Sequence, residues 1–170
     1  MSRYPELAAK VDGFFARVQA RQGAEMACDT GCSHCCHTRL TVTGVEAAAI
    51  VEHVGSWSPA QRAALAANVA GAAPDRCTAL DGGGRCLIYA ARPIVCRSHG
   101  APVRLREAHS LPVVSACRDN FVGAGPGAAD PDCIIDQETL SAMTLAVDRD
   151  AGGDGSRSEL VDVLATATHR

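Results

Sequence analysis

The stretch CDTGCSHCCHT, residues 28–38, places four cysteines within nine positions and sets a histidine on either side of the last two. Such a run can hold a metal, a set of disulfides or a catalytic thiol. Cys28, Cys32, Cys35 and Cys36 are too close in sequence to bridge one another in ordinary disulfides. Free cysteines do pack as small hydrophobes, but a run mixed with Asp, Thr, Gly, Ser and His is not core composition. Thiolate sulfur is a soft, charged donor favoured by zinc, copper(I) and iron–sulfur clusters. The run therefore predicts a metal site.

Three sharper readings compete for it. Haem attachment through C-x-x-C-H fails on register, because the position three before Cys36 is Ser33. The spacing of Cys28, Cys32 and Cys35 is similar to the cluster loop of radical S-adenosylmethionine enzymes. Those are partial β/α barrels, and this chain shows no alternating strand–helix units. A zinc knuckle or ribbon is the third reading, and it needs more ligands further along. Adjacent side chains tend to point apart, so Cys35 and Cys36 are expected to face two ions, or two irons of one cluster.

Outward from the run, the chain of 170 residues is long enough for one domain with a real hydrophobic core. At 47% hydrophobic and 21% charged it has the composition of a soluble globular protein. A net charge of −3, with Lys10 the sole lysine and the arginines scattered, predicts neither nucleic-acid nor membrane binding. The opening MSRYPELAAKVDGFF has no basic stretch followed by an apolar run, and no apolar segment is long enough to span a bilayer. A cytoplasmic location is the expectation. The odd total of nine cysteines then argues against a disulfide framework.

Residues 5–22 read as an amphipathic helix, with Leu7, Val11, Phe14, Phe15 and Val18 at helical spacing and Pro5 in the first turn. Thr43 with Glu46 makes a capping-box pattern for a second helix to about His53. Ser58, Pro59 and Gln61 repeat the device for a third helix to about Val69. From Pro74 to about Pro131 glycine and proline recur and no period persists, so this long stretch needs something else to order it. Residues 136–148 are a helix with apolar support from Ile134, Ile135, Leu140, Met143, Leu145 and Val147. A flexible linker, 151–157, precedes a short C-terminal helix in SELVDVLATA. The expected fold is mostly α. It is a small single domain of about five helices over residues 1–170, with a long irregular cysteine-bearing region ordered by bound metal.

Further cysteines stand at Cys77, Cys86, Cys96 and Cys117. Together with the opening run they make the chain resemble the YkgJ-type cysteine-cluster family of CxxCxxCC zinc- or iron-chelating domains. The resemblance rests on Cys28, Cys32, Cys35 and Cys36 and on the block Cys77, Leu80, Gly84, Cys86, Ile88, Tyr89, Arg92, Pro93, Cys96 and Arg97. CRDNF, from Cys117 to Phe121, and DQETL resemble two more family blocks, so the likeness spans about residues 25–150. One extra residue between Cys28 and Cys32 departs from the usual opening and leaves the placement of Cys28 open.

The resemblance implies metal ligation by Cys28, Cys32, Cys35, Cys36, Cys77, Cys86, Cys96 and Cys117. Eight thiolates suit two zinc sites, one polynuclear site, or a 4Fe–4S cluster with a separate ion. Cys133 lies outside the pattern and reads as a structural thiol. His34, His37 and His99 lie beside cysteines and are candidate nitrogen donors. His53, His109 and His169 have no cysteine context. Arg97 and, less directly, Arg92 are expected to offset the negative charge of a thiolate site, and Tyr89 reads equally as packing or as function.

Three functions follow from these readings. The first is a metalloprotein that chelates zinc or iron without turnover. The second is an iron–sulfur enzyme of group-transfer or redox type, since the resemblance extends to the cysteine-cluster region of flagellin lysine methylases. The third is a zinc-stapled module that docks a protein partner.

Overall fold

Three of the expected helices carry the start signals read from the sequence, and in two of them the signal forms as a hydrogen-bonded capping box. The computed structural model describes residues 2–106 and 110–169, so His109 lies outside the described residues. Helix α1 (Tyr4–Gln22) has a proline in its first turn and buries Tyr4, Leu7, Ala8, Val11 and Val18 along one stripe. Helix α2 (Gly44–Gly55) begins at Thr43, whose backbone N–H and hydroxyl both donate to the Glu46 carboxylate, at 2.8 and 3.0 Å. Helix α3 (Pro59–Ala70) begins at Ser58, whose hydroxyl accepts from Gln61 N–H while its own N–H donates to the Gln61 amide.

The irregular middle contains more short structure than its lack of periodicity predicts. Helix α4 (Ile94–Ser98) spans little more than a turn, too short to show a period. It raises the helix count to six among the described residues, where about five were expected. Strand β2 (Val103–Leu105) lies between antiparallel β3 (Val113–Ser115) and parallel β4 (Ile135–Asp136). Ile135 thus enters a strand, and helix α5 (Gln137–Asp150) starts directly after Asp136, which pairs with Arg104. A second small sheet joins β1 (Thr41–Thr43) to β5 (Arg157–Glu159). Helix α6 (Leu160–Thr168) therefore begins two residues later than SELVDVLATA suggests, because Ser158 and Glu159 pair with β1.

The helices pack around three apolar clusters. Ile50 and Val54 of α2, Leu65 of α3, Leu164 of α6 and Ile88 are fully buried together, with Cys77 and Cys86 against their edge. Each such side chain contributes about 1.5–3 kcal/mol of burial. The stripe of α1 meets Val45, Ile94, Leu140 and Val147 in a second cluster. The far end of α1 meets Phe121, Ala129 and Cys133 in a third. No helix among the described residues is long and apolar enough to cross a membrane.

Two buried carboxylates tie these parts together. Asp148, 1% exposed, accepts from Val45 N–H at the start of α2 and from Gly155 N–H in the turn after α5. Glu46, 2% exposed, uses its second oxygen to accept from Ile94 N–H at 2.9 Å. The capping residue of α2 thereby also caps α4, which carries Cys96.

Candidate metal centre

Tight turns, not long elements, set the direction of each thiol. In the first run Cys32 N–H donates to Asp29 carbonyl at 3.0 Å, and a single 3-10 turn covers His34–Cys36. The second block folds as a knuckle. Leu80 N–H bonds Cys77 carbonyl, Leu87 N–H bonds Ala79 carbonyl, and Leu80 pairs with Cys86 as an isolated bridge. The Asp81 side chain closes its tip by accepting from Arg85 and Gly83 N–H, which holds that carboxyl below its usual range. Cys77 N–H donates to Cys36 carbonyl at 2.7 Å, so the knuckle is fastened to the first run by backbone. Gly84, at φ +77°, sits where a Cβ would press to 3.1 Å from Gly31 carbonyl, which explains a glycine at that contact.

The thiols fall into an inner and an outer set, with Cys35 acting on members of both. In the inner group, burial pushes the Cys96 thiol up to about 12, and Cys77, Cys86 and Cys35 add to the rise. Burial likewise takes Cys86 to about 11, opposed by Ile88 N–H and Arg92. Cys77 is raised by burial and by Cys35. Cys35 and Cys36 stand 4.0 Å apart sulfur to sulfur. Cys35 is lowered by the hydrogen bond from Cys36, whose own thiol is raised in turn. In the outer group, burial raises Cys28, a hydrogen bond from Asn120 opposes it, and Cys117, Cys32 and Cys35 add to the rise.

All nine cysteines are free thiols, with Cys32 exposed, Cys133 buried and the rest between. Among the described residues no three Cys, His, Asp or Glu side chains already converge as a finished coordination site. The donor set nonetheless suits a soft divalent ion. Cys28, Cys77, Cys86 and Cys96 are each held back from ionising in part by neighbouring thiols, and a bound cation would reverse that repulsion into attraction.

The two arginines differ in their employment. Arg97, 7% exposed, donates to Arg92 carbonyl, to Ala90 carbonyl and to Asp12 of α1. It locks α4 to the preceding turn. Arg92 also pairs with Asp12 at 2.9 Å, stacks 3.9 Å over the ring of Tyr89, and favours the thiolate of Cys86. His99 and His34 both favour the thiolate of Cys35. His37 follows Cys36 at the end of the 3-10 turn. His53 packs edge-on against Trp57. Cys133 is 0% exposed among Val18, Ala101, Phe121 and Ala129, apart from both groups.

Four residues near the thiols escape a reading by motif. Glu46 is legible as a helix cap, but its hold on Ile94 is not. Asp119 and Asn120 lie inside CRDNF, yet only Cys117 carries a metal-ligand signal there. Gly100 is an ordinary glycine in sequence, and in space a Cβ on it would stand 2.6 Å from Cys28 Sγ.

This arrangement defines a cysteine-rich protein of small helical and loop elements whose thiols gather from separated segments. A family model of CxxCxxCC type, described as "Putative zinc- or iron-chelating domain", matches residues 27–117, more than half of the chain. The protein belongs to that family. No curated protein and no solved structure matches it.

Proposed function

We propose that the protein binds zinc or iron through Cys28, Cys32, Cys35, Cys36, Cys77, Cys86, Cys96 and Cys117, in two adjoining thiolate groups. The observation that carries this reading is the fastening of one cysteine block to another: Cys77 N–H donates to Cys36 carbonyl at 2.7 Å, beside the Cys35 and Cys36 sulfurs 4.0 Å apart. Four sulfur donors suffice for a tetrahedral ion, and the inner group offers five with Cys35. The adjacent pair Cys35 and Cys36 lets that group serve more than one metal atom. Metal held there ties the first run, the knuckle and α4 together, and so orders the irregular middle of the chain.

The test is metal analysis with a visible spectrum on protein purified without oxygen. Zinc in a colourless sample supports a chelating or structural centre. Iron with acid-labile sulfide and a brown colour supports a cluster, and brings redox or group-transfer chemistry forward. A folded protein with no bound zinc or iron overturns the reading.

A further inference from the structure

One turn brings Cys117 and Cys28 together, since Asn120 N–H bonds Cys117 carbonyl and Asn120 Nδ2 reaches Cys28 Sγ. With Cys32 from the same run as Cys28, such a set offers three thiols and lacks a fourth donor for a tetrahedral ion. Cys35 Sγ stands 4.0 Å from Cys36 Sγ, within the inner group. We infer that His34 is the fourth ligand of a separate outer zinc- or iron-class site, oriented by Asp119, with Asn120 holding the Cys28 thiolate. This rests on the metal-binding reading above and extends it to a ligand that is not cysteine.

The geometry starts at one carboxylate oxygen. Asp119 Oδ2 is hydrogen-bonded to His34 Nδ1 and lies 3.8 Å from Cys117 Sγ, so one atom positions an imidazole and a thiol together. With Nδ1 so engaged, His34 Nε2 has no hydrogen-bond partner among the described residues. A metal-bound histidine characteristically gives its other ring nitrogen to a carboxylate, which fixes the ring and its tautomer. An exposed imidazole–carboxylate pair without a metal stabilises a fold by little.

The neighbouring residue does the same for Cys28. Asn120 is 3% exposed, and its Nδ2 donates to Gly100 carbonyl at 2.7 Å and to Cys28 Sγ at 3.2 Å. Its Oδ1 accepts from Ala27 N–H at 2.8 Å, so both ends of the amide are assigned and it cannot be turned round. Gly100, at φ +100°, closes the other side of Cys28 at a distance that forbids a Cβ. A donor N–H stabilises the charged thiolate without competing for the metal. Cys117, Asp119 and Asn120 thus supply a ligand, an orienting carboxylate and a thiolate donor from one turn, in which Asn120 N–H bonds Cys117 carbonyl.

The experiment uses the full chain loaded with zinc, and separately with cobalt(II), whose visible bands report sulfur and nitrogen donors. Wild type, His34→Ala, His34→Cys, Asp119→Asn and Asn120→Asp are compared for metal per chain, rate of release to a chelator and cobalt spectrum. Cys133→Ser serves as the control. The expected result is loss or about 10–100-fold weakening of one metal in His34→Ala and Asp119→Asn, with the other metal kept. Asn120→Asp, which sets a carboxylate oxygen against Cys28, weakens the same metal. His34→Cys restores it with stronger sulfur-to-cobalt bands, a rescue that a merely structural histidine would not permit. Full metal content, unchanged release and an unchanged spectrum in His34→Ala overturn the inference while leaving the eight-cysteine reading intact. A wild-type chain that takes up no metal overturns both.

Discussion

The carboxylate of Glu46 accepts a hydrogen bond from the backbone N–H of Ile94, 48 positions later in the chain and two residues before Cys96. The same side chain receives the N–H and hydroxyl of Thr43. One buried acid therefore fixes the start of α2 and the placement of an inner thiol. Replacing Glu46 by Ala strands two buried N–H donors and removes a cap. The expected cost is about 2–4 kcal/mol in denaturant unfolding. Cys96 should also react faster with a thiol reagent, because α4 loses its anchor. Glu46→Gln, which keeps an acceptor oxygen, should cost less; equal stability of Glu46→Ala and wild type would refute this account.

Alkaline pH should unfold the metal-free protein. Cys86 and Cys96 move from an ordinary value of 9.0 to about 11 and about 12, and burial takes Tyr4 from 10.0 to about 12. All three are raised, so folded and unfolded chains hold these protons equally at neutral pH. Above pH 9 the unfolded chain releases protons that the folded chain retains, and stability falls toward pH 12. If Cys86 and Cys96 ligate metal as proposed, they are already thiolates in the loaded protein and their part of this loss should vanish. Denaturant midpoints at mild and strongly alkaline pH, with and without a chelator, measure the difference.

Cys96 and Cys133 should separate metal loss from packing loss. Cys96→Ser removes a proposed ligand and should reduce metal content and stability together. Cys133→Ser places a hydroxyl in an apolar cluster, at a cost of about 1–3 kcal/mol, and should keep the full metal content. Elemental analysis beside thermal unfolding tells the two apart, and metal loss in Cys133→Ser would mean that a ligand has been misassigned.

Tyr4 offers a substitution of the opposite sign. Its ring is 4% exposed, and its hydroxyl has no hydrogen-bond partner among the described residues. Arg97, which lies near it, is turned to Asp12 and to the carbonyls of Ala90 and Arg92. Tyr4→Phe keeps the ring and deletes the stranded hydroxyl, so it should be neutral or stabilise by up to about 1 kcal/mol. Unfolding of the variant by denaturant checks the sign.

What was legible in the sequence follows the range of the interaction. Thr43 with Glu46 and Ser58 with Gln61 lie three positions apart, and each alone announces a helix start. Helix α4 was not legible, because five residues cannot display a helical period and its stability comes from Glu46 and Arg97. Ser158 and Glu159 read as helix because their apolar neighbours follow at helical spacing, while their pairing with Thr41 and Val42 depends on a distant strand. The cysteines proposed as ligands were named from their blocks. The hydrogen bond from Asn120 to Cys28 spans 92 positions, and no local pattern encodes it.

The packing of α6 has a consequence for the order in which the protein is made. Cys77 and Cys86 lean on the cluster that contains Leu160, Val163, Leu164 and Ala167. Asp148 and the β1–β5 ladder hold the segment that delivers those residues. A ribosome releases every cysteine before it releases this helix, so the sulfurs are in place before the wall behind them. Until residues 160–167 emerge, the knuckle has no backing, and a nascent chain stalled short of them should hold metal less tightly than the finished one.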